Sequence, residues 1–184
     1  MSLLKCLTEF KASPSDIYSE DEMQKICIDI LAERGVTVED IAHVAYGAQS
    51  KYLDNLTMQE MVDSVMEILE KRDQFHSLLL AIEIDIAAEQ KLFDEPLQSI
   101  LADDLGLFGI DEAIAIQCAG NYGTIGVTNY GNLDVNKPGK ISILQNSRNH
   151  IHCFLDDMVG AIAAVAAIRV AQRHALQKAG TNLL

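Results

Sequence analysis

Apolar residues recur at spacings of three and four along much of this chain, and three of the runs begin alike. Ser19, Thr37 and Thr57 each stand three residues ahead of an acid, Glu22, Asp40 and Glu60. That is the reciprocal capping box, which satisfies otherwise orphaned N–H groups at a helix start. Each therefore opens an amphipathic helix. Gly35 is placed to close the first, and the third runs on through Met61, Val62, Val65, Met66 and Leu69, a stripe that faces a core. The residues ahead of Ser19, with Pro14 and several serines, read as a loose arm over about residues 1–18.

From Ser77 to Ala88 the pattern changes. Leu78, Leu79, Leu80, Ile82, Ile84 and Ile86 make the segment apolar all the way round, which predicts a helix in the middle of a bundle. Shorter helices are predicted from Glu95 to Ala102 and from Ile110 to Ala119. An irregular Gly-rich stretch follows, then a long helix from about Phe154 to Gln177. Strand-like alternation, internal repeats and low-complexity tracts are all missing. At 184 residues the chain suits one domain, 1–184, with enough length to bury a real core.

Charge narrows the function classes. A net charge of -13 and a pI near 4.6 argue against binding to nucleic acid, which requires clustered Lys and Arg, and against passive adhesion to anionic lipid. Cys6, Cys27, Cys118 and Cys153 contain no Cys-x-x-Cys pair, so reduced thiols and a cytoplasmic setting are expected. Ala113 to Leu133 is uncharged but carries Gln117, Asn121, Asn129 and Asn132 with four glycines, a poor hydrocarbon-spanning helix. Met158 to Ile168 is too short to span. No transmembrane segment is expected, and a homo-oligomer is left open.

The candidate chemistry lies in misplaced carboxylates. Glu83, Asp85 and Glu89 interrupt the most apolar helix, where an uncompensated charge costs several kcal/mol. At about 100° per residue Asp85 and Glu89 share a face and Glu83 does not. They either look jointly at a site or meet basic partners and solvent. Tight pairs recur at Asp103 with Asp104, Asp111 with Glu112 and Asp156 with Asp157. Acids in a first helical turn are favoured by the helix dipole. That accounts well for Asp156 and Asp157, and less well for Asp111 and Glu112, which lead directly into Ala113, Ile114, Ala115 and Ile116. Hard oxygen ligands from several helices suit Mg²⁺, with Mn²⁺ or Ca²⁺ as alternatives.

Gly120, Gly123, Gly126, Gly131 and Gly139 fall in one short segment, matching neither a Walker loop nor a dinucleotide fingerprint. Beyond it, Val135 to Leu155 holds no acid but carries Lys137, Lys140, Arg148, His150 and His152. This basic island in an acidic chain points to phosphate contact by Lys137 and Arg148.

The motifs Asp104-x6-Asp111-Glu112, Asp134-x-x-Lys137-Pro138 and Asp156-Asp157-x-x-Gly160-Ala161, in that order, resemble the phosphatidylglycerophosphatase A family over about residues 83 to 170. Gly109-Ile110-Asp111-Glu112, Thr128-Asn129-Tyr130-Gly131 and Phe154-Leu155-Asp156-Asp157 are similar to its soluble YutG-like, or low-temperature-requirement C, branch. The resemblance implies an all-α bundle with one buried central helix surrounded by others. It also implies Mg²⁺-dependent removal of the terminal phosphate of phosphatidylglycerophosphate. On the matched positions the metal ligands would be Asp104, Asp111, Glu112, Asp134, Asp156 and Asp157, and the catalytic group Asp111, Glu112, Lys137 and Asp157. Lys137 would hold the substrate phosphate, joined by Arg148 on the charge pattern of the basic island. The membrane-bound members keep hydrophobic spans that this chain lacks, and Gly160-Ala161 stands where they tend to have Ala-Gly. A phosphate-bearing small molecule is therefore a partner as serious as a lipid head group.

Rival readings remain. A di-iron bundle would need Glu-x-x-His pairs, which do not occur. A helical nucleotide hydrolase would use Glu60-x-x-Asp63 and Glu67-x-x-Glu70. A transition-metal site would use His150, His152, Cys153 and Asp156. A non-catalytic protein binding a metal or phosphate ligand for regulation is the alternative of a different class.

Overall fold

The computed structural model describes residues 18–106 and 108–180. The expected arm falls almost wholly outside them. Nine helices and no strand occur among the described residues. In chain order they are α1 (Glu20–Glu33), α2 (Val38–Gln49), α3 (Met58–Leu69), α4 (Arg72–Glu89), α5 (Leu97–Ala102), α6 (Ile110–Gly120), α7 (Thr124–Asn136), α8 (Lys140–Gln145) and α9 (Leu155–Lys178). The fold is an all-α bundle, and all three capping boxes are formed at Ser19, Thr37 and Thr57. Gly35, at φ 73°, turns the chain out of α1.

The buried central helix is α9, where the sequence pattern pointed to Ser77–Ala88. Every residue from His152 to Ile168 is buried, and α2, α3, α4, α6, α7 and α8 all pack on it. Gly160 and the alanines 161, 163, 164, 166 and 167 keep this helix thin. Neighbours can then approach its backbone from every side. α4 instead buries a single stripe, Phe75, Leu78, Ala81, Ile82, Asp85 and Ala88, and leaves Leu80 53% exposed. Its bulky side chains suggested a centre that the alanines of α9 actually form.

The Gly-rich stretch is also ordered differently from expectation, since Thr124–Asn136 is a helix. Gly126 accounts for part of this. A Cβ there would lie 2.2 Å from the Ala119 carbonyl oxygen, so glycine is what lets α7 fold back tightly against α6. No helix among the described residues is long and apolar enough to cross a membrane.

Candidate functional site

The N-terminus of α9 is held in place by acids of α4. Asp85, fully buried, accepts hydrogen bonds from the Phe154 and Leu155 N–H groups, each at 3.0 Å. Burial pushes its carboxyl well above the usual carboxylate range. Glu89 accepts from Arg34 at 2.7 Å and from the Ile151 N–H at 2.9 Å, while Arg34 also donates to the Ile151 carbonyl. Asp85 and Glu89 thus share one task, fixing the chain where it enters the central helix. Glu83 does not join them: one of its oxygens is buried without a hydrogen-bond partner among the described residues, and burial raises its pKa.

This anchoring places Asp156 and Asp157 in the first turn of α9, both buried. Asp111 and Glu112 occupy the first turn of α6, which starts from Gly109 in the left-handed conformation. Asp134 sits near the end of α7, and Asp104 on the link from α5 to α6. Lys137 caps α7 with φ 41°, and Asp104 has φ 45°. A left-handed backbone at a residue with a Cβ costs about 1 kcal/mol or more. Such strain persists where surrounding structure enforces it, commonly at functional sites.

The seven side chains line one cleft of about 250 Å³, together with Gln145 and residues 105–106. The Lys137 ammonium lies 2.7 Å from Asp134, 3.0 Å from Asp156 and 3.2 Å from Asp157. Gln145 donates to Asp104, and the Cys153 thiol lies 3.5 Å from Asp111. Six carboxyl groups thus face one ammonium, and the protonation of four of them reflects the crowding. Burial and then Asp156 push Asp157 up to about 8. Burial, against the pull of Lys137, leaves Asp156 at about 6. The contact with Asp111, and then burial, push Glu112 up to about 7. Burial raises Asp104 too. Burial opposes the Lys137 charge, but Asp156, Asp134 and Asp157 prevail and hold its pKa above the ordinary lysine value.

Two sets of donors suit a cation, Asp111 with Glu112 and Asp157, and Asp104 with Asp111 and Cys153. Within each set the ligand atoms lie within 4.8 Å of one another. One oxygen of Glu112 is buried with no hydrogen-bond partner among the described residues. An orphaned buried carboxylate oxygen among other carboxylates fits a divalent cation, and the all-oxygen set fits Mg²⁺.

Arg148 is not brought to the cleft; it is exposed and absent from the lining. The basic island divides, because it straddles α8 and the loop into α9, and among the described residues Lys137 is its one member that faces the cleft's acids. The transition-metal set also separates: His150 meets Glu89, His152 meets Arg34, and Cys153 meets Asp111. The acids of α3 have other partners, Glu67 with Arg169 and Arg173, and Glu60 with His174. Tyr130 and Gln145 were missed. The Tyr130 ring packs where Gly160 leaves room for it. Its hydroxyl is buried without a hydrogen-bond partner among the described residues, and its pKa is raised by burial and then by Asp157 and Asp134. Its place in Thr128-Asn129-Tyr130-Gly131 was the available signal.

The cleft's residues lie within a stretch, residues 35–172, that matches the family model Phosphatidylglycerophosphatase A. The uncharacterized protein YpjQ of Bacillus subtilis (strain 168) is 45% identical over 157 residues, covering 85% of this chain and 89% of that one. Its crystal structure superposes with a TM-score of 0.82 at 44% identity, over 86% of this chain and 98% of that one. The uncharacterized protein YutG of the same organism is 45% identical over 144 residues, 78% of this chain and 87% of its own. The low temperature requirement C protein from Listeria monocytogenes has a TM-score of 0.80 at 39% identity, over 83% and 97% of the two chains. A matched stretch that takes in most of the central helix and all seven cleft residues makes this chain a member of the phosphatidylglycerophosphatase A family.

Proposed function

We propose that the chain is a divalent-metal-dependent phosphatase that hydrolyses a phosphoric monoester in the carboxylate cleft, with Mg²⁺ as the cation and Mn²⁺ as a substitute. The observation that carries this reading is the convergence of six carboxyl groups and Lys137 in one cleft, with a buried, unpartnered Glu112 oxygen among them. So many acids repel one another unless a cation or protons intervene. Asp111, Glu112 and Asp157 would hold the metal, with Asp104, Asp134 and Asp156 around them. When bound there, Mg²⁺ supplies neutralisation and polarisation of phosphoryl oxygens.

The chain's own groups do the rest. The Lys137 ammonium, fixed by three carboxylates, donates to a phosphate oxygen as charge moves toward the leaving group. A carboxylate of the cleft orients a water and takes its proton. A P–O bond to water forms, the ester P–O bond breaks, the leaving oxygen takes up a proton from solvent, and the products are an alcohol and inorganic phosphate. Family membership makes phosphatidylglycerophosphate the first substrate to try, beside phosphate esters free in solution.

The test is turnover with and without Mg²⁺ on the full chain, using phosphatidylglycerophosphate in detergent and a panel of soluble monoesters. Metal-dependent release of phosphate from at least one is expected, and Asp111→Asn should lower it by about a hundredfold or more. Clear Mg²⁺ binding with no turnover above the metal-free control on any substrate would replace this reading with non-catalytic metal and phosphate binding.

A further inference from the structure

A second, larger cavity lies on the opposite side of α7. The helices α2 and α7 both pack on α9 but make at most marginal contact with each other. Between them, closed at one end by α8, is a groove of about 820 Å³. That is the size of a small-molecule site. None of its lining residues is shared with the carboxylate cleft.

The lining has three characters, one of them an uncharged polar wall of Thr128, Asn129, Asn132 and Asn136 on α7. Val44, Gly47, Ala48, Leu133 and Pro138 make an apolar bed, and Tyr52 (69% exposed) and Ile143 (65% exposed) stand at the rim. Although the whole chain carries a net charge of -13, Lys51 and Lys140 face this groove with Asp40 as its one carboxylate among the described residues. Lys140 is paired with Asp40 at 3.4 Å. Lys51 contacts the Tyr52 ring, 5.1 Å from its centroid, and no carboxylate pairs with it among the described residues. Along α2 the two ends of the groove, Asp40 and Gln49, are about 14 Å apart at 1.5 Å rise per residue. The charge complement lies at the Lys51 end, beside the amide of Gln49.

Gly47 is the telling residue. It lies inside α2, where glycine costs about 1 kcal/mol relative to alanine. A Cβ there would meet nothing within 4 Å. Neither a turn nor close packing calls for it; what its missing side chain leaves is width in the bed of the groove.

We propose that this groove is a binding site, separate from the carboxylate cleft, for an anionic amphiphile. Its apolar chain lies over Val44, Gly47, Ala48 and Leu133, and its anionic end meets Lys51. An occupant would lean on α7, whose other face carries Asp134 and, at its end, Lys137. The proposal does not depend on phosphatase activity.

Calorimetric titration of the full chain with dodecyl phosphate tests it, in EDTA and below the probe's micelle concentration. One molecule should bind per chain. Gly47→Leu, which fills open space, should weaken binding at least about tenfold without lowering the melting temperature. Lys51→Glu and the rim variant Ile143→Glu should weaken it as well, so the outcome does not hang on one variant folding. Asp111→Asn should bind as the parent does, and inorganic phosphate should not compete. Unchanged affinity in Gly47→Leu, equal affinity for uncharged dodecyl maltoside, or loss of binding in Asp111→Asn would each overturn the proposal.

Discussion

Lys137 is three things at once: the cap of α7, a residue in left-handed backbone, and the cation shared by Asp134, Asp156 and Asp157. Two quantities should therefore respond differently to its removal. Lys137→Ala should lower phosphomonoester turnover by about a hundredfold, the usual loss when one donor to a developing negative charge is deleted. Mg²⁺ affinity should stay the same or rise, because an ammonium repels a cation and cannot ligate one. Both are measured on one preparation, by phosphate release and by titration with Mg²⁺; a parallel loss of the two would make Lys137 a structural residue. Asp85 gives the complementary case, a carboxylate that shapes the cleft from outside it. Asp85→Ala leaves two buried N–H groups of Phe154 and Leu155 unsatisfied, at about 1–3 kcal/mol each. Chemical denaturation should register that loss, and Asp85→Asn, which keeps an acceptor, should recover part of it. Residue by residue, the sequence distinguished Asp111 and Glu112 from ordinary helix-start acids because an apolar run follows them. It could not separate Asp85 and Glu89 from ligands, since a carboxylate that caps a remote helix and one that binds a metal look alike without the partner. Nor could it tell that Arg148 lies outside the cleft, because the loop into α9 carries it away from Lys137.

The helix α7 shows how a single element hides from sequence reading and how its glycines differ. Glycines spaced along a segment lower helix propensity, so Thr124–Asn136 read as irregular, yet the close approach to α6 requires one of them. Gly126→Ala would drive a Cβ to 2.2 Å from the Ala119 carbonyl oxygen, which is backbone and has little freedom to yield. Gly131→Ala in the same helix meets nothing within 4 Å. The first substitution should destabilise the protein by more than about 2 kcal/mol, as overpacking against a fixed neighbour does. The second should stabilise it by about 0.5–1 kcal/mol, the helix-propensity gain. Urea denaturation of the two variants beside the parent decides the matter, and equal effects would mean that the α6–α7 crossing is not set by Gly126. The three amphipathic helices α1–α3 were legible because capping boxes and stripes are local signals. The identity of the central helix was not, because alanines that let six neighbours approach carry less hydrophobic signal than the leucines of α4.

At the scale of the whole molecule, the carboxylate cleft is a concentrated load of like charge at one end of the bundle, and stability should reveal it. Glu112 at about 7 and Asp157 at about 8 lie above the ordinary unfolded values of about 4. A carboxyl raised on folding binds its proton more tightly in the native state, so its stabilising share is intact at low pH and is lost as pH rises through the folded value. His152, depressed to about 4 by burial and then Arg34, acts in the opposite sense, adding stability as pH rises toward its unfolded value near 6.5. Above pH 6.5 that contribution is complete, and the carboxylates alone of these groups still titrate. Between about pH 6.5 and 8.5 the metal-free protein should therefore lose melting temperature steadily. Mg²⁺ or Mn²⁺ should reverse the loss, because a cation that binds only the folded state adds about 2.7 kcal/mol at one hundred times its Kd. The metal-induced shift should grow across the same window, since protons and cation compete for the same oxygens. Asp111→Asn removes a charge common to both donor sets and should abolish the shift while leaving a folded protein with a higher metal-free melting temperature at pH 8. Melting curves of parent and variant, with and without Mg²⁺ at pH 6.5 and 8.5, measure every term. A metal-free melting temperature that holds or rises over this window, or equal Mg²⁺ shifts in parent and variant, would reduce the six acids to residues that share a cleft without holding a metal.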